Sequence, residues 1–204
     1  MYAFMKKRLS HIVLLGILYS LSSCSTKIVS TNYYNINKNK LLVIEQSYKA
    51  LYKTKPFSAA FTDRLLQTVS VELITDSLTY IYEMGVDEPR LLDTLSQYGY
   101  QAKPIYYLIK NMQSISCAWI NNFDYYVNDH QHRLVLISIK PKLIRYLLSP
   151  PKYYILAYFD RAQSFDEKGR LLDGKRVKRL RQLNGQTYRK ITDRICFTIA
   201  EKYR

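Results

Sequence analysis

The start of the chain sets the strongest limit on what can fold here. Lys6, Lys7 and Arg8 precede a mostly apolar stretch from Ile12 to Leu21, which gives way to small residues and Cys24. That stretch is too short to cross a bilayer, because a spanning helix needs roughly 20 apolar residues to cover about 30 Å of hydrocarbon. Basic, then apolar, then small is the layout of an export signal. Residues 1–23 are therefore read as a signal peptide, and the domain has to be built from the rest of the chain.

The residues Leu21-Ser22-Ser23-Cys24 resemble the lipobox of bacterial lipoprotein precursors, in which an aliphatic and two small residues precede the cysteine to be modified. The resemblance covers residues 1–24 only. It implies that the Cys24 thiol takes a diacylglyceryl group, that the bond before it is cut, and that the new amino group is acylated. Several acyl chains anchor a protein persistently where a single one does not. Ser25 stands where the family's inner-membrane retention signal has aspartate, and no acidic cluster comes after it, so the resemblance implies the outer membrane, facing the periplasm.

The remaining 181 residues of the 204 suffice for a single domain with a proper core. The signal holds three basic residues and no acidic one, so the formal net charge falls from +15 to +12 on its removal. Such an excess speaks of partners and not of fold. Export makes nucleic acid a poor partner; anionic lipid, lipopolysaccharide phosphates or an acidic envelope protein are the expected ones. Cys117 and Cys196 remain after lipidation of Cys24. The compartment permits a disulfide between them, yet both lie among apolar residues, where a free thiol packs as a small hydrophobe. The sequence leaves both states open. Tyrosine is abundant, with 20 residues and doublets such as Tyr106-Tyr107 and Tyr153-Tyr154. Adjacent side chains cannot share a face, so one ring of each doublet is expected to be partly exposed and available to stack on sugars or on a protein.

Residues 24–40 are rich in Asn, Ser and Thr and read as a flexible tether, with the folded domain spanning 41–204. Leu41, Ile44, Tyr48 and Leu51 recur at helical spacing ahead of Pro56, and a short helix is expected over 59–66. Strict alternation in Val69, Val71, Leu73 and again in Leu78, Tyr80, Tyr82 predicts a hairpin turning at Asp76-Ser77. Asp87 caps an expected helix ending near Gly99, and a second helix starts at Pro104 with Ile105, Leu108, Ile109 and Met112 on one face. Strands are expected over 115–120, 123–127, 134–139 and 153–159, with Pro150-Pro151 as a break. Val177, Leu180 and Leu183 suit a short helix, while Ile195-Phe197-Ile199 suits a strand as well as a terminal helix. These elements predict an α+β domain, a mostly antiparallel sheet with helices packed on one face.

Strong catalytic signatures are missing. His130 and His132 beside Asp129 have ligating side chains, but a polar turn is where solvated histidines ordinarily sit, and no metal is assigned to them. No nucleophile elbow or glycine-rich loop occurs, so no catalytic residue or cofactor is assigned. Asp160, Asp166 and Glu167 offer carboxylates of the kind that cleave glycans, which keeps a periplasmic enzyme as an alternative, alongside a sugar-binding lipoprotein using exposed tyrosines. The strongest local signal is basic. Nine Lys and Arg stand between positions 168 and 190 against Asp173 alone, and Lys175, Arg176, Lys178, Arg179 and Arg181 are the expected contacts for an anionic surface. The expected role is a non-catalytic, membrane-anchored interaction or accessory module. Cys24→Ala is expected to abolish metabolic labelling by a fatty-acid analogue; a labelled Cys24→Ala product would contradict lipidation at this residue.

Overall fold

Between Ile17 and Lys55 the sequence contains neither glycine nor proline, and the computed structural model carries a single helix, α1, across Tyr2–Thr54. The structure describes residues 2–127, 130–146, 149–172 and 187–200. The chain divides into two units, 1–36 and 37–204. Residues 25–40, expected as a flexible tether, are helical: polar side chains lower helix propensity by only tenths of a kcal/mol each, and no breaker interrupts them.

Within 37–204 the order is the end of α1, then β1 (Phe57–Phe61), β2 (Thr68–Ile74), β3 (Thr79–Gly85), α2 (Pro89–Gln97) and α3 (Ala102–Ser114). Next come β4 (Cys117–Val127), β5 (His130–Tyr146), β6 (Ser149–Phe159), β7 (Arg189–Lys190) and β8 (Ile195–Ala200). Among the described residues these eight strands form one antiparallel sheet in the order β3-β2-β1-β4-β5-β6-β8-β7. The domain is α+β, as its sequence predicts.

The local rules explain most of this. Leu41, Ile44, Tyr48 and Leu51 are buried along α1, and Ile105, Leu108, Ile109 and Met112 along α3. α2 starts with Pro89 in its first turn after the N-cap Glu88 and not Asp87. It ends at Gly99, whose φ of +70° few other residues adopt without strain. The hairpin β2–β3 turns at Asp76-Ser77, with Thr75 N–H donating to Leu78 O. Three expectations are corrected. Residues 59–66 are not a helix, because Phe57–Phe61 is a strand paired on both sides, with β2 and with β4. The two strands expected over 115–127 are one, continuous apart from a bulge between Cys117 and Trp119. Pro150-Pro151 does not break the chain but lies inside β6. The β5–β6 pairing is irregular there, running from Ile144 opposite Lys152 to Tyr146 opposite Ser149, so neither proline has a register partner on β5 that needs its N–H. The terminal segment is the strand β8 and not a helix. The expected helix over 175–183 lies outside the described residues.

Two layers of side chains hold the sheet. On one face Tyr48 of α1 lies edge-on to Phe57 at 5.2 Å between ring centroids and donates its hydroxyl to Phe57 O at 2.6 Å, in the core. On the other face Trp119, Leu134, Leu136, Ile155, Ala157 and Phe159 form a second core, closed by Leu171 and Tyr188 from the segments outside the sheet. Residues 134–139 of β5 and 154–159 of β6 are consequently buried on both faces, which is why they read as continuous apolar runs and not as alternating ones. Two buried hydroxyls should respond in opposite ways to deletion. Tyr48→Phe leaves the Phe57 carbonyl without its donor and should cost about 1–2 kcal/mol. Ser138 Oγ has no partner among the described residues, so Ser138→Ala should be neutral or stabilising by about 1 kcal/mol. Denaturant melts of the two variants check this, and equal losses in both would contradict the assignment.

Candidate interaction surface

The edge of the sheet formed by β7 and β8 is built around a tight turn. Asp166 Oδ1 accepts the Arg170 backbone N–H at 2.7 Å and Asp166 Oδ2 accepts Arg170 Nε at 2.7 Å. Gly169, with φ +70°, closes the turn by donating its N–H to Asp166 O at 2.8 Å. This turn folds the chain back so that Phe165 pairs with Leu171, and Arg170 then pairs antiparallel with Arg189. Leu171 N–H donates to Tyr188 O at 3.0 Å and Lys190 N–H to Gly169 O at 2.8 Å. Buried Leu171 and Tyr188 pin both arms onto the second core, with Tyr188 against Phe159 at 6.5 Å.

The result is a short ladder that closes the long basic run. Lys168, Arg170, Arg189 and Lys190 are all exposed on it. Two are tied to carboxylates, Arg170 to Asp166 at 2.7 Å and Lys190 to Asp193 at 2.6 Å. Lys190 Nζ also lies 5.2 Å from the centre of the Phe165 ring. Arg170 directly opposite Arg189 is an unfavourable cross-strand pair by itself. Of the expected contact residues, Lys175, Arg176, Lys178, Arg179 and Arg181 lie outside the described residues; the ladder fixes where their segment leaves the domain and returns.

Beside this edge an ionic cluster joins α1 to the ends of β6 and β8. Lys49 Nζ lies 2.6 Å from both Glu45 Oε1 and Asp160 Oδ1, and Arg194 reaches Glu45 at 3.8 Å. Asp160 Oδ2 accepts the backbone N–H of Arg133 at 2.8 Å, and Arg194 Nε donates to Phe159 O at 3.0 Å. Sequence shows only the Glu45–Lys49 helical spacing; the partners come from residues more than a hundred positions away.

Two of the three carboxylates considered for glycan chemistry, Asp160 and Asp166, are therefore already engaged. A general acid needs its pKa raised toward neutrality. The Arg170 backbone N–H, aided by the Arg170 guanidinium, instead holds the Asp166 carboxyl below its ordinary value. Among the described residues no group of three His, Cys, Asp or Glu comes together to hold a metal. His130 and His132 stand on β5 opposite Val127 and Tyr125, not in the turn. Of the tyrosines, Tyr80 and Tyr82 on β3 are packed against Tyr98 at 5.1 and 5.5 Å between centroids, while Tyr107 of the Tyr106-Tyr107 doublet is exposed.

The two cysteines are free and buried, which corrects the disulfide alternative. Cys117 is on β4 and Cys196 on β8, with β5 and β6 between them. Three strand spacings of about 4.8 Å separate them by roughly 14 Å, beyond the ~7 Å that a bridge tolerates. Cys117 lies opposite Ile139 and Cys196 opposite Ala157, on different faces of the sheet. Burial pushes both thiols up to about 12. Cys24 lies within α1, and its side chain is outside the described residues.

Comparison with protein-family models, with curated proteins and with solved structures returns no match. The thiols give a direct check on the core. In the folded Cys24→Ala chain neither Cys117 nor Cys196 should react with an aromatic disulfide reagent at pH 8, and both should react once denatured, without reductant. Because the folded thiols titrate near 12, above the unfolded value of about 8.5, their stabilising effect is complete below about pH 8.5 and lost as pH rises toward 12. Denatured protein showing no reactive thiol would restore the bridge.

Proposed function

We propose that this chain is a lipid-anchored protein of the bacterial cell envelope, held through Cys24 at the outer membrane facing the periplasm. Its domain is a non-catalytic interaction module whose basic edge meets an anionic surface. The lipobox resemblance supports the anchor. Among the described residues no helix is long and apolar enough to cross a membrane.

The observation that carries the basic edge is the pairing of Arg170 with Arg189. It gathers the two ends of the basic run, Lys168 and Arg170 at one and Arg189 and Lys190 at the other, onto one edge of the sheet. Like charges held opposite each other cost stability, and a surface that supplies anions offsets that cost. The described acids on this edge, Asp166 and Asp193, pair with Arg170 and Lys190.

The commitment of Asp160 and Asp166 to structural bonds supports a non-catalytic role over glycan cleavage, and the Tyr80–Tyr98–Tyr82 packing supports it over a tyrosine platform for sugars.

The test uses the Cys24→Ala chain, so that acyl chains make no contribution. Replacing Lys175, Arg176, Lys178 and Arg179 by Gln should release it from anionic vesicles and from lipopolysaccharide. Each cation near such a surface contributes about 1 kcal/mol at moderate salt, so binding should weaken by roughly two decades or more and fall with salt in the unsubstituted protein. The melting temperature should stay nearly constant. Undiminished binding at low salt by the substituted chain would overturn the basic edge as the contact.

A further inference from the structure

The opposite edge of the sheet, β3, carries a different chemistry. Its backbone directions are set by the hairpin. Thr75 N–H donates to Leu78 O and Val86 N–H to Gln67 O, and antiparallel pairs alternate between bonded and non-bonded. With Tyr80 opposite Leu73, Tyr82 opposite Val71 and Met84 opposite Val69, those three residues of β3 turn their N–H and C=O toward β2. Two further bonds agree: Ile74 N–H and Thr68 O, whose partners on β3 are non-bonded, serve Pro56 and Thr62 on the other side of β2.

Thr79, Ile81, Glu83 and Gly85 therefore turn their backbone groups outward. Gly85 is already satisfied, since its N–H reaches Glu88 Oε1 at 3.0 Å and its carbonyl accepts from Glu88 N–H at 3.1 Å. Thr79, Ile81 and Glu83 remain, all exposed, on a strand whose one neighbour in the sheet among the described residues is β2. Ile81 is 59% exposed and Leu78, at the turn, 58%. Edge strands are ordinarily blunted by lysine, proline or a bulge. β3 contains no lysine and no proline, and its pairing with β2 runs through seven residues without a register shift.

Charge identifies what fits. Between positions 62 and 98 there are seven carboxylates against Arg64 and Arg90 alone, in a chain whose net charge is +15. Asp76 and Glu83 are exposed on the β3 hairpin itself and Glu88 directly after it, Glu83 accepting one bond from the Thr62 hydroxyl at 2.9 Å, while Asp87 is paired with Lys110 at 3.2 Å. A second copy joined β3 to β3 would bring two such acidic edges together. A cationic strand is attracted.

We propose that the β3 edge takes up an extended, basic peptide segment of a partner protein by strand addition. The segment bonds to the backbone of Thr79, Ile81 and Glu83, with Lys or Arg beside Glu83 and an aliphatic residue beside Ile81. This site is separate from the basic edge and does not rest on the anionic-surface reading.

The test measures binding of a labelled synthetic peptide repeating Thr-Lys-Val to the full-length chain in detergent. That repeat places valine and lysine two residues apart on either face of an extended strand. The peptide should bind, and its Thr-Glu-Val counterpart should bind at least about tenfold more weakly. N-methylation of every peptide amide, which leaves neither edge of the peptide a donor and the protein untouched, should abolish binding. Ile81→Pro should do the same with little change in melting temperature, because the Ile81 N–H makes no bond to β2. Equal binding by the N-methylated peptide or by the glutamate peptide would overturn the proposal. So would a dimer in sedimentation equilibrium that Ile81→Pro dissolves and the peptide fails to displace, since a second copy would then occupy the edge.

Discussion

The whole domain depends on a sheet whose middle must be hidden on both sides. Residues 134–139 of β5 and 154–159 of β6 are buried throughout, so neither face can be left to water. One face is closed by regular elements: α1 through Tyr48 and its hydroxyl on Phe57, and α3 through Ile105, Leu108, Ile109 and Met112. The other is closed by Leu171 and Tyr188, which come from segments that are not part of the continuous sheet. Backbone N–H and C=O groups lie in the plane of a sheet, so only its edges leave them available to partners, which is why the two candidate contact regions are edges and not faces.

Those two edges are electrostatically opposite. The β7 side gathers Lys168, Arg170, Arg189 and Lys190, while the β3 side stands in a stretch with seven carboxylates and two arginines. Seven strand spacings of about 4.8 Å place the edges roughly 34 Å apart, more than three Debye lengths at physiological salt. Each edge therefore acts on its surroundings almost independently, and the net charge of +15 describes neither one.

Legibility tracked how local the deciding interaction was. The burial pattern of α3 and of α1 after Leu41 is set by spacing within a helix and was readable, as was the β2–β3 hairpin, whose turn bonds span only a few residues. The strand at Phe57–Phe61 was not, because Phe-Ser-Ala-Ala-Phe shows no alternation: pairing with β2 on one side and β4 on the other buries all five residues. The prolines of β6 misled because they fall where its pairing with β5 is irregular, and a proline is excluded from a strand only where its missing N–H would be needed. At the candidate surface, the basic run was evident in the composition, but the Arg170–Arg189 pairing that closes it depends on a turn and a hydrophobic anchor nineteen residues apart in sequence. The cluster of Lys49 with Asp160 depends on residues 111 positions apart, and pairing at that range leaves no trace in a single sequence.

The ionic cluster also shows why carboxylates in an unfamiliar domain are poor evidence of catalysis. Glu45 has only 7% of its side chain exposed and lies against Lys49, while Asp160 spends one oxygen on Lys49 and the other on the Arg133 backbone. A base that must accept a proton during each turnover needs a free lone pair aimed at substrate. Asp160 has its two oxygens turned to α1 and to β5, and Asp166 has both on Arg170. Removing Lys49 would leave two carboxylates facing each other in a partly desolvated corner, which explains why a lysine sits at that point of α1. These bonds stitch the helix, the long central strands and the β8 edge into one body. The chemistry that looks reactive in the sequence is, in the fold, what holds the basic edge in position.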